Sequence, residues 1–269
     1  MTPKKLRTAI LTLQAQFLGS RQALASGDIE ALHSLRVTLR QLCSLLKPLA
    51  ALPTCSALYA SARELASHSS PLRDEEVLCA ELTRIAPALA ARRQQALDAA
   101  YLSFRQSPAL DSCQQALADF PGSASLPDKT VLGAAVGSTL GRWQRQLQHA
   151  LEEQAALEAN SADQPASEAA DLNKHRLRLL IKRLRYTLTL WQKPTPEASS
   201  LIQALRQAQD SLGDWHDRVV WLARSQQEAE LLPFAPVWES EMQAHAAWAD
   251  YQVGQLQKPL KQWRKKWEK

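Results

Sequence analysis

Proline cuts this chain into segments, and the segments between prolines carry their apolar residues at helical spacing. Leu35, Leu39, Leu42, Leu46 and Leu49 recur at steps of four and three, and Leu177, Ile181, Leu184, Leu188 and Trp191 repeat the same steps. Each helical residue turns the chain by about 100°, so these steps line one face; a half-buried strand would instead need every second residue apolar. Glycine is scarce at 8 of 269 residues, alternating β-branched runs are nearly absent, and Ala, Leu and Gln abound. That pattern specifies an all-α fold.

The punctuation predicts helices over about 4–24, 28–48, 54–67, 71–85, 87–106 and 108–120, with a linker at 121–127 rich in Pro, Gly and Ser. Beyond it, helices are expected over about 129–159, 167–191, 197–212, 214–230 and 237–257, with a basic tail after Pro259. A polar segment, 160–165, separates the first two of these.

The two stretches also resemble each other. His33-Ser-Leu35-Arg36-Val-Thr-Leu39-Arg40-Gln-Leu42 aligns with His175-Arg-Leu177-Arg178-Leu-Leu-Ile181-Lys182-Arg-Leu184 at an offset of 142. Arg73-Asp74 and Val77-Leu78 align with His216-Asp217 and Val220-Trp221 at an offset of 143. A period this long marks a duplicated helical unit rather than a solenoid. One domain is expected over 1–269, with halves at about 1–122 and 126–269. All eight tryptophans lie at Trp143 or later, so the halves have diverged.

On an ideal helix, positions 0, 3, 7, 10 and 14 fall within an arc of roughly 80°. His33, Arg36, Arg40, Cys43 and Lys47 take those positions opposite the first leucine stripe, and His175, Arg178, Lys182 and Arg185 take the first four opposite the second. Arg176 and Arg183 widen the second face. Surface helices ordinarily mix Glu with Lys and Arg. Here no acidic residue falls between Glu30 and Glu64, or between Asp171 and Glu197, and 174–193 holds seven Lys or Arg. Such a face repels itself unless an anion meets it. Arginine forks match phosphate oxygens, and stripe residues spaced roughly 5 Å apart on a helix suit a long, densely charged polymer. No GxxxxGK[ST] loop is present to cradle a nucleotide.

The run from His175 to Tyr186, His-x-Leu-Arg-x-x-x-Lys-Arg-Leu-Arg-Tyr, and its first-half counterpart His-x-Leu-Arg-Val-x-x-Arg resemble the CHAD family, the conserved-histidine α-helical domains. Gln209-Asp210-Ser-Leu212-Gly213-Asp214-x-x-Asp217 resembles that family's link between later helices, and the resemblance extends from about Leu13 to Trp267. It implies two four-helix bundles related by pseudo-two-fold symmetry, with a basic central cavity that binds inorganic polyphosphate. Some members associate with polyphosphate granules, and polyphosphate-metabolising enzymes are candidate partners. The implied binding set is His33, Arg36, Arg40 and Lys47, with His175, Arg178, Lys182, Arg183 and Arg185. The first half departs from the family at Gln41 and Cys43, where arginine is usual, so the second half is expected to dominate.

Other readings are weaker. His33 and His175 as metal ligands would sit among arginines, a poor field for a cation, and no cofactor is expected. Asp74, Glu75, Glu76, Asp210, Asp214 and Asp217 could serve a metal-dependent phosphohydrolase, but a structural role accounts for them better, several capping helix starts and Asp74 and Asp217 orienting stripe arginines, so no catalysis is expected. Nucleic acid would use the same basic faces, yet apart from Tyr186 they lack interleaved aromatics for stacking. Lys258, Lys261, Trp263, Arg264, Lys265, Lys266 and Trp267 mix cations with aromatics, and packing of the tryptophans is preferred over membrane or polyanion contact. Cys43, Cys55, Cys79 and Cys113 form no CxxC pair and read as buried reduced thiols. With no apolar run of about 20 residues and no signal-peptide pattern, the expected location is the cytoplasm.

Overall fold

The computed structural model describes residues 1–28, 30–160 and 168–267, and among these there is no strand. Helices α1 (Pro3–Ser26), α2 (Ala31–Leu46), α3 (Pro53–His68), α4 (Ser70–Ile85), α5 (Pro87–Arg105) and α6 (Pro108–Ala118) come first. They are followed by α7 (Lys129–Asn160), α8 (Glu168–Trp191), α9 (Pro196–Ser225), α10 (Ala235–Gly254) and α11 (Gln257–Trp267). Proline occupies the first turn of α1, α3, α4, α5, α6, α9 and α10, where its missing N–H costs nothing. Thr2, Ser107 and Thr195 cap their helices by accepting a backbone N–H. Gly27 ends α1 in the left-handed region, at φ 87°, which few other residues adopt cheaply.

Three expectations need correction. The helices expected over 197–212 and 214–230 are one helix, α9, running through Gly213. The first half breaks at the corresponding place because Pro71 removes a helical N–H. In the second half Asp214 stands there, and an interior glycine costs only about 1 kcal/mol. Gln209–Asp217 is therefore helix interior, not a link. The basic tail is also helical: Pro259 falls in the first turn of α11, and buried Leu260 and Trp263 hold it down. Finally, α2 stops at Leu46, and Lys47–Leu49 forms a 3-10 turn over Pro48. The polar 160–165 segment lies largely outside the described residues. The 121–127 stretch contains a 3-10 turn at Ser123–Ser125.

The chain divides into two compact units, Met1–Val136 and Gly137–Lys269, the division falling within α7. In the first unit α2 packs on α1 and α3, α3 on α6, and α4 on α5. Leu6, Ile10 and Phe17 of α1 and Leu35, Leu39, Leu42 and Leu46 of α2 are fully buried. In the second unit α9 packs against α8, α10 and α11, around the buried Leu177, Ile181, Leu184 and Leu188 of α8 and the indoles of Trp215, Trp238 and Trp263. Both leucine stripes read from the sequence thus face core, which fixes the direction of the opposite, basic faces.

Candidate polyanion-binding faces

On α2 the burial of the leucines turns His33, Arg36 and Arg40 away from the core, while Cys43 sits at its edge, near enough to buried Cys113 to act on that thiol. His33 is exposed and the other three are half-buried. Arg36 is held across to the α3–α4 junction, where its Nη1 donates to Ser69 Oγ at 2.8 Å. Burial holds this guanidinium below its ordinary pKa, with Asp74 and Glu76 opposing that effect and Arg73 and Arg40 adding to it. Lys47 lies just past the end of α2, with its Nζ 5.2 Å from the centre of the Tyr59 ring. Burial pushes the Cys43 thiol up to about 11, opposed by the charges of Arg63 and Lys47. None of the four cysteines is in a disulfide, and Cys43 alone among them is not fully buried.

His33 also borders a cleft of about 790 Å³ in the first unit, lined by Asp28, Glu30, Arg73, Glu76, Asp98 and Arg105 among others. Its four carboxylates outnumber the two guanidiniums, so the His33 end of the face is its least favourable end for an anion.

On α8 the segment 174–193 is less bare than its sequence implied. Lys174 is buried and pairs with Asp250 of α10 at 3.2 Å, and Arg176 pairs with Glu153 of α7 at 2.8 Å. Neutralising partners absent from the local sequence arrive from other helices. Five cations of the segment remain beside these two: Arg178, Lys182, Arg183 and Arg185, which the motif marks, and Lys193, which it does not. Arg178, Lys182 and Arg185 are half-buried and Arg183 is exposed, about 80° round the helix from His175. The Arg185 Nε donates to Gln209 Oε1 at 2.9 Å, and its guanidinium stacks 4.1 Å from the Tyr186 ring centre. A side chain fixed by two such contacts has already lost much of the rotamer freedom that binding would otherwise cost.

The second face has a member that motif reasoning did not assign. His216 of α9 lies with its ring centre 5.1 Å from that of His175. Burial lowers its pKa to about 4, and the charges of Arg178, His175 and Lys182 push the same way. Its Nδ1 is buried and makes no hydrogen bond among the described residues. His175 is likewise lowered by burial and by Arg178. In the 143 alignment His216 stands opposite Arg73, whose charge acts on Arg36 in the first unit. The repeat therefore carried the signal for both residues.

The acidic residues do not cap helix starts. Glu75 takes Arg93 at 2.7 Å, Glu76 takes Arg73 at 3.2 Å and the Tyr101 hydroxyl, and Asp210 pairs with Arg206 at 3.7 Å. Asp210, Asp214 and Asp217 all lie inside α9. The preference for packed tryptophans at the C-terminus holds for Trp263, which is 1% exposed and donates its indole N–H to Gln192 Oε1 at 3.0 Å. The Trp267 side chain lies outside the described residues.

No curated protein matches the chain. Among solved structures it resembles the crystal structure of the CHAD domain from the plant Ricinus communis. The TM-score is 0.64 at 21% identity, covering 96% of this chain and 91% of that one, a likeness of fold. The family model of the CHAD domain matches residues 8–226, most of the chain, and the protein belongs to that family.

Proposed function

We propose that the protein binds inorganic polyphosphate on the basic faces of α2 and α8 and does not turn it over. The observation that carries this reading is the repeat of one basic face on two helices, each backed by a buried leucine stripe. On both, an arginine is already held in place by a neutral partner, Ser69 for Arg36 and Gln209 for Arg185. A neutral hydrogen-bond partner orients a guanidinium without forming an ion pair with it, which suits it to meet an incoming anion. Polyphosphate binding is a general attribute of the CHAD family, which supports the same ligand. The binding set is His33, Arg36, Arg40, Lys47, His175, Arg178, Lys182, Arg183 and Arg185. The pseudo-two-fold pairing of two four-helix bundles about a basic cavity, the cytoplasmic location and the association with granules belong to this proposal.

The test is competition binding at about physiological salt, with long-chain polyphosphate against duplex and single-stranded DNA of matched length. Preference for polyphosphate that grows with chain length is expected. Equal or tighter binding of DNA would overturn the assignment. An R178A/K182A/R185A variant is expected to lose most of the affinity with its helix content unchanged. Binding equal to that of the parent would remove the α8 face from the site.

A further inference from the structure

The first face departs from the family where Gln41 and Cys43 replace arginine, and the 142 alignment sets these against Arg183 and Arg185 of the second face. The packing of α3 along α2 shows what occupies that gap. Lys47, just past the C-terminal end of α2, meets Tyr59, and Arg36, one turn into α2, meets Ser69 at the C-terminal end of α3. The two helices therefore run antiparallel, and contacts at 47–59 and 36–69 bracket a third register in which Cys43 faces Arg63. Tyr59, Arg63 and Ala66 follow at steps of four and three and share one side of α3. The charge of Arg63 acts on the Cys43 thiol, as that register requires.

The second unit supplies the control. Arg206 stands opposite Arg63 in the 143 alignment and is held by Asp210 one turn on, at 3.7 Å. In the first unit Ser67 replaces that aspartate, and Arg63 has no carboxylate three or four residues away on its own helix. One half thus keeps arginine on the stripe helix and sets an aspartate beside the arginine of the neighbouring helix. The other half puts cysteine on the stripe and gives the neighbouring arginine no carboxylate one turn away.

From this we infer that Arg63 of α3 replaces the missing stripe arginine at Cys43 and is a polyphosphate-binding residue of the first face. The face is then built from two helices, with Arg36, Arg40, Lys47 and Arg63 matching in number Arg178, Lys182, Arg183 and Arg185. This inference rests on the polyphosphate reading and extends it to a residue outside the family motif.

The experiment measures long-chain polyphosphate binding by the full chain and by R63Q, R63K, R206Q and R178A/K182A/R185A, all at one salt concentration. Both Arg63 and Arg206 are exposed, so each single variant is expected to fold. R63Q should lose about three- to tenfold in affinity, the scale of one charge-assisted contact, while R63K keeps most of it and R206Q stays within about twofold. If R63Q binds like the parent while the α8 variant is weakened, the Arg63 assignment fails and the polyphosphate reading stands. Equal losses in R63Q and R206Q would reduce Arg63 to general surface charge and overturn the assignment. Failure of the parent chain to bind polyphosphate would overturn both.

Discussion

His216 shows at the scale of a single residue how burial, with a cationic face beside it, makes a fold sensitive to pH. The ring is half-buried beside Arg178, His175 and Lys182, and its pKa falls from 6.5 to about 4. Between those two values the unfolded chain binds a proton that the folded chain refuses, so stability rises with pH across the window. Acidification from above 6.5 toward 4 should therefore destabilise the protein, with no further loss from this group below about 4. A His216→Gln variant removes this contribution. Its Tm should fall less than that of the parent between about pH 7.5 and pH 4.5, and an unchanged difference would show that His216 is not the group responsible. The sequence placed His216 opposite Arg73 in the repeat but could not show its proximity to His175, which comes from the packing of α9 on α8. Lys174 and Arg176 teach the converse. The segment has no acid of its own, but Asp250 and Glu153 reach these two residues from other helices.

Between helices, the two halves use one clamp with its polarity reversed. Glu75 of α4 pairs with Arg93 of α5, with side chains 21% and 12% exposed, and Arg218 of α9 pairs with Glu241 of α10. Glu75 and Arg218 are equivalent at the offset of 143. In the second half the receiving helix is displaced along the sequence because a 3-10 turn, Ala229–Phe234, intervenes, whereas α4 and α5 meet across Ala86 alone. Removing one member of a largely buried pair strands the other, so Arg93→Ala should cost about 2 kcal/mol in urea denaturation, reduced from the fully buried range by the residual exposure. The natural reversal implies that position and not sign matters, so E75R/R93E should recover most of that loss. A double variant no more stable than R93A would mean that this site, unlike its counterpart, selects the sign. Helix existence was legible from leucine steps and prolines because both act locally. Continuity through Gly213 was not, since glycine weakens a helix by far less than the packing of Leu212 and Trp215 on either side returns.

For the molecule as a whole, 32 basic against 27 acidic side chains leave a net charge of only +5, too small to explain tight polyanion binding by a diffuse field. If the faces of α2 and α8 do the binding, the dependence on salt should follow the cations they carry rather than the net charge. Each phosphate engaged on a flexible chain contributes about −0.7 to the slope of log K against log salt. R178A/K182A/R185A should then flatten that slope by about 2, with a large loss of affinity. The informative partner is K258A/K261A/K265A on α11, which removes the same three charges from exposed positions of the second unit. Under the face reading its slope and affinity stay close to those of the parent chain. Equal flattening by both triple variants would assign binding to the summed field, because only a field is indifferent to which helix supplies the charge. Flattening by the α8 variant alone would tie the polymer to side chains that the duplicated motif marked, projecting from a helix seated by its leucine stripe, with Arg185 among them held by Gln209 and Tyr186.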